Sequence, residues 1–196
     1  MPKNYQHVQL GMLGDLFQGL TIGRHQNAQS KAVYVFNPAQ LKSIIADLET
    51  AVQTPLEISN RGHCLQPGDV LLTIRNRPLK SSVYQHSEIK SVAGQNVAVL
   101  RPKLQILDPI FLAAMLRSDY GKTLLEPHFS RSATVPQISL SALRSVPISL
   151  PPLETQQQLA ALMLAAERAE QIDLERIQTR HQIIEATLFQ TLGSPS

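Results

Sequence analysis

Apolar residues along the chain fall into short blocks for the first 150 positions and into one helical stripe after that. HisValGlnLeu at 7–10 and AlaValTyrValPhe at 32–36 are β-branched or aromatic runs bounded by Gly, Asn and Pro, the pattern of strands. The segment between them at 18–27 is polar and glycine-punctuated, which predicts a surface loop. ProGlyAsp at 67–69 is a turn feeding ValLeuLeuThrIle at 70–74, a continuous apolar run expected to be buried on both faces. SerSerValTyr at 81–84 and AsnValAlaValLeu at 96–100 predict two more strands. Asp108 followed by Pro109 is an N-cap and first-turn pair. It opens an amphipathic helix in which Ile110, Phe111, Ala114, Met115, Leu116 and Leu124 recur at helical spacing. Strands with one good helix and no regular βαβ alternation predict an α+β domain over residues 1–150.

ValProIleSerLeuProProLeuGluThrGln at 146–156 marks a hinge. Proline lacks an N–H and has a preset φ, so it is tolerated at the first helical position and not deeper, and Pro152 is the expected helix start. From Leu153 to Leu192 there is no Gly or Pro, and Gln, Ala, Leu, Glu and Arg dominate, which predicts a long coiled-coil-type helix within residues 151–196, stopped by Gly193. Leu162, Ala169, Ile177, Ile184 and Thr191 form one line, and Leu159, Ala166, Leu174, His181 and Leu188 its neighbour. Each line steps by seven with one step of eight. So narrow a stripe requires another helix, and Leu159, Leu162, Met163, Ala166, Ala169, Ile177, Ile184 and Leu188 are the expected contact residues of a homodimer or a similar partner.

Charge sharpens this division. Residues 1–150 hold 15 of the 18 Lys and Arg with 9 of the 15 acidic residues, a balance of +6, whereas residues 151–196 carry −3. A positive excess confined to the globular part is what a phosphate-binding face requires. Hydrophobic content of 43% and a mean hydropathy of −0.08 fit a soluble chain, and no run approaches the ~18 apolar residues of a membrane span. The first residues carry no apolar secretion signal, and the lone Cys64 has no internal disulfide partner, so the cytoplasm is expected.

Catalytic patterns are sparse. Asp69 with Glu88 and Lys90 imitates the Asp…Glu-x-Lys pattern of magnesium-dependent nucleases, in which two carboxylates hold hard cations and a lysine stabilises developing charge. AsnProAlaGln at 37–40 lacks the second proline and stacking aromatic with which amino-methyltransferases grip a base, and no cofactor loop precedes it. The six histidines are unpaired, so no metal site is expected. No phosphate-cradling loop or nucleophile elbow occurs, and no cofactor is implied. Three polar loops remain as candidate DNA contacts: Arg24, His25 and Asn27; Arg75, Asn76, Arg77 and Lys80; and Arg131, Ser132, Thr134 and Gln137. Arg and Asn can make bidentate contacts to guanine and adenine edges, and Lys reaches phosphates.

The order of four blocks resembles the specificity (S) subunits of type I restriction-modification systems. They are LeuGlyAspLeuPheGlnGlyLeuThr at 13–21, LeuGlnProGlyAspValLeuLeuThrIleArg at 65–75, AspProIlePheLeuAlaAlaMetLeuArgSer at 108–118, and the run from Val135 through LeuProProLeuGlu to Gln156. The last is the most specific. The resemblance implies a target recognition domain followed by a long helix, present here once where the family usually carries it twice. It implies a non-catalytic reader of double-stranded DNA that directs adenine-methylating M subunits, and in some systems an R subunit, to a bipartite site. The alternatives are a small metal-dependent nuclease and a regulatory remnant acting through its helix.

Overall fold

The structure, a computed structural model, describes residues 5–58, 61–130 and 134–193. In chain order the strands are β1 (Gln6–Gln9), β2 (Gly14–Gln18), β3 (Ala32–Phe36), β4 (Val52–Pro55), β5 (Val70–Thr73), β6 (Ser81–Val83), β7 (Ser91–Ala93) and β8 (Val97–Pro102). Helices α1 (Pro109–Arg117), α2 (Asp119–Leu125) and α3 (Leu140–Arg144) follow, then β9 (Pro147–Leu150) and the long α4 (Leu153–Leu192). This is the α+β architecture expected, with a 40-residue helix at its end.

The centre is an antiparallel sheet in the order β2-β8-β5-β6. Both faces of its inner strands are covered, and the period-two alternation divides their side chains between two cores. Val70, Leu72, Ala98 and Leu100 face α1, with Phe111, Leu112 and Leu116. Leu71, Val97 and Val99 face the other way, onto Phe36, Leu41 and Tyr84. That double burial is why 70–74 and 96–100 read as unbroken apolar runs. A second sheet, β4-β3-β7, combines an antiparallel and a parallel pair, and β1 pairs with β9 across nearly the whole domain.

Several elements differ from the expected pattern. The Asp108 carboxylate does cap α1, accepting from the Phe111 N–H at 2.8 Å, but the helix breaks at Ser118. The Ser118 hydroxyl accepts from the Gly121 N–H and restarts the chain as α2. β2, β4 and β7 form in addition to the predicted strands; β4 is a largely exposed edge strand, so no apolar face marks it. Pro152 is the N-cap and not the first helical residue: its backbone is extended, and its carbonyl accepts the first helical bond, from the Gln156 N–H. Gly193, at φ 74°, ends the helix in the left-handed region.

The first turns of α4 lie against the domain. Gln156 is fully buried, and its amide is completely used: Oε1 accepts from the Asp108 N–H at 2.9 Å, and Nε2 donates to the carbonyls of Ile106 (3.0 Å) and Pro151 (2.8 Å). A buried amide left unpaired would be costly. Ala160 is buried on the same face, and Leu164 packs against the same core. From Arg168 to Gly193 every residue is exposed. The chosen stripe residues Leu159, Leu162, Met163, Ala166, Ala169, Ile177, Ile184 and Leu188 are all exposed, and at ~100° per residue they run alongside the docked face rather than on it. Among the described residues, no helix is long and apolar enough to cross a membrane.

Candidate nucleic-acid interface

The loop that leaves β5 is shaped by its neighbours. Asn76 adopts φ 66°, a left-handed conformation that Asn tolerates better than most residues. Its N–H donates to the Pro136 carbonyl at 3.0 Å, and the Ile138 N–H donates to the Ile74 carbonyl at 3.0 Å, so segments 74–76 and 136–138 run together as a short antiparallel bridge. Arg75 Nε donates to Gln137 Oε1 at 3.3 Å across it. Two of the three candidate loops are thereby one surface.

Close backbone approach adds a third wall. A Cβ on Gly19 would lie 2.3 Å from the Gly94 carbonyl oxygen, and one on Gly94 would lie 2.1 Å from Asn37 Oδ1. Only glycines allow the Gly19 N–H to reach the Val97 carbonyl (2.9 Å) and the Leu20 N–H to reach the Ala93 carbonyl (2.8 Å). Chain 18–21 and turn 94–96 thus stand beside Arg75 and Gln137, enclosing a polar cleft of 360 Å³ lined by Gln18, Thr21, Arg75, Gln95, Asn96 and Gln137. It continues past Ile74 and Gln137 toward His128, Ser130, Ser139 and Ser141. Three glutamines and an asparagine each offer a donor and an acceptor, the pairing that an adenine edge presents in the major groove. Gln18, Gln95, Asn96, His128 and Ser139 were not evident from sequence. The available signal was the GlyGlnAsn turn between two apolar strands, whose polar tip faces this cleft.

The remaining candidates are distributed differently. Arg77 is exposed, pairs with Glu126 at 2.7 Å, and places its guanidinium 4.2 Å above the Phe129 ring. Lys80 is exposed, its backbone paired with Thr73. Arg24 is exposed on a short turn that begins just after Thr21, but the bonds of His25 and Asn27 run to Glu57 and Pro55 beside β4, away from the cleft lining. Thr134 is exposed; Arg131 and Ser132 lie outside the described residues.

The nuclease pattern is not assembled. Asp69 is 1% exposed, and both its oxygens accept from Arg101, at 2.9 and 2.8 Å, while the Gln66 N–H donates to Oδ2 at 2.8 Å. The same guanidinium donates to the Cys64 carbonyl. The hydrogen bond to Asp69 raises the Arg101 pKa further above its ordinary value, and this carboxylate serves the fold. Glu88 and Lys90 are exposed on the bend before β7. Among the described residues no three His, Cys, Asp or Glu side chains are grouped to hold a metal ion. AsnProAlaGln at 37–40 is a closed turn, with the Asn37 N–H donating to Gln40 Oε1 at 3.1 Å.

Known proteins share this architecture. A curated protein of Methanocaldococcus jannaschii, described as a type I restriction enzyme MjaX specificity subunit, is 28% identical over 99 residues, which is 49% of this chain and 23% of that protein. The HsdS subunit of Thermoanaerobacter tengcongensis superposes with a TM-score of 0.67 at 19% identity, covering 97% of this chain and 49% of that one. A chain from a type I R-M system, solved to describe complex assembly and conformational transition, gives 0.65 at 24% identity over 97% of this chain and 45% of its own. The chain spans about a quarter of the curated relative and just under half of the solved chains. A family model described as the type I restriction modification DNA specificity domain matches residues 2–185, nearly the whole of the sequence, and the chain belongs to that family.

Proposed function

We propose that the chain is a non-catalytic, sequence-reading subunit of a cytoplasmic type I restriction-modification system. In this reading residues 1–150 form the target recognition domain, and residues 151–196 form the spacer and dimerisation helix. It carries adenine-methylating M subunits, and an R subunit where one is present, to a bipartite site on double-stranded DNA. The observation that carries the reading is the cleft in which Arg75, Gln137, Gln95, Asn96 and Gln18 converge, with the exposed Lys80 on the same β5–β6 connection as Arg75. Amides and a guanidinium suit base edges, and Lys80 suits a phosphate.

Selection from a random duplex pool by the chain together with its M subunits tests this reading. Enrichment of two short motifs at a fixed separation is expected, and a pool returned without any motif refutes the reading. Plasmid incubated with the isolated chain and magnesium or manganese should remain uncut and unmethylated. Cleavage that vanishes in Glu88→Ala and Lys90→Ala, both substitutions at exposed positions, would establish the nuclease instead. Co-purification with M subunits separates a working subunit from a regulatory remnant.

A further inference from the structure

Glu167 stands about three turns beyond Gln156 on α4 and therefore on the same face. Both of its carboxylate oxygens accept from the Ile44 N–H, each at 2.9 Å. Oε1 also lies 3.5 Å from Arg117 Nη2, with the two side chains 28% and 24% exposed. Arg117 closes α1, and it further donates through Nη1 to the Ser81 carbonyl at 2.9 Å and through Nη2 to the Lys42 carbonyl. One guanidinium thus ties β6, the segment 42–44 and α4 together, at the last half-buried position of the helix before the exposed residues 168–193.

Gln156, Ala160 and Leu164 seat the first turns of α4 by packing, whereas the Glu167 contacts add a directional polar tie one turn further along the same face, where the lever arm on the outgoing rod is longest. From these contacts we infer that Glu167 and Arg117 are positioning residues for recognition: they form a latch that sets the direction in which α4 leaves the domain. Resting on the DNA-reading role proposed above, the latch fixes the separation of the two half-sites that a helix-joined pair can engage. It touches neither the cleft nor the apolar stripe, so it governs spacing without reading a base. A linkage of defined geometry keeps the effective concentration of the second site high at one spacing and low at the others.

The direct test needs no DNA. Nitroxides on Met12→Cys and Gln178→Cys in a Cys64→Ser background, diluted with unlabelled protein, report the distance between domain and rod by pulsed electron resonance. The native latch should give one narrow distance. Glu167→Ala should broaden it by several ångströms, and Glu167→Gln, which keeps an acceptor for the Ile44 N–H but loses the ion pair, should lie between. Arg117→Lys is the second variant should Glu167→Ala fail to fold, as judged by its thermal melt. In the duplex selection, Glu167→Ala should return the native motifs at several separations. A distance distribution in Glu167→Ala as narrow as the native one overturns the latch. A pool without motifs from the native chain refutes DNA reading instead, and the distance measurement still decides the latch.

Discussion

Asp69 shows how a residue's role depends on a partner that local sequence does not indicate. A carboxylate after a ProGly turn reads as a candidate metal ligand until Arg101, on a strand that pairs with β5, is placed across it. Removing one partner of a buried pair leaves the other uncompensated, so Asp69→Ala should cost about 3 to 5 kcal/mol in urea unfolding. Tyr84 is the other buried polar group with a clear consequence. It is fully enclosed, and its hydroxyl donates to the Ile89 carbonyl at 2.7 Å and lies 3.0 Å from Ser91 Oγ. Burial pushes its phenol pKa above the usual value, so the folded chain holds this proton more tightly than the unfolded one. Its contribution is fully present below the unfolded pKa of about 10 and is lost as pH rises through the higher folded value. Melting temperatures should therefore fall on the alkaline side of pH 10. Tyr84→Phe should weaken that fall while costing about 1 to 3 kcal/mol at neutral pH, because the Ile89 carbonyl loses a strong donor.

Elements were legible where burial on both faces left an unbroken apolar run or where a capping residue marked an end. The β5 and β8 runs, the Asp108-Pro109 helix start and the Gly193 stop all follow from local chemistry, whereas β2, β4, β7 and α3 depend on neighbours distant in sequence. The cleft follows the same rule. Arg75 and Gln137 were identifiable as loop residues, but Gln18, Gln95 and Asn96 join them only because Gly19 and Gly94 let two segments touch. Mutation should separate base-reading from phosphate-holding loops. Arg75→Ala and Gln95→Ala should each cost about 1 to 3 kcal/mol on a selected duplex and relax discrimination at one position. Lys80→Ala should weaken selected and scrambled duplexes equally and lower the salt slope by about one counterion. Equal losses on both duplexes for every variant in a binding titration would place the readout elsewhere.

At the scale of the molecule, the exposed stripe along α4 calls for a partner helix. Ile177 and Ile184 are each 51% exposed and lie on one line, so the double substitution Ile177→Asp and Ile184→Asp should convert a dimer into monomers in sedimentation at tens of micromolar. A native chain that sediments as a monomer, alone and with M subunits, contradicts the dimer. The β1–β9 ladder carries a further consequence, for the order in which the chain can fold. Gln6 pairs with Leu150, and Leu10, Leu13, Val146, Ile148 and Ala160 share one core. Contacts that distant in sequence close slowly. During synthesis β1 must therefore wait, unpaired and open to association with other chains, until its partner strand Pro147–Leu150 has also left the ribosome. A nascent chain arrested with Ala160 still inside the exit tunnel should remain protease-sensitive, whereas one arrested after the full length of α4 has emerged should resist digestion up to the exposed rod.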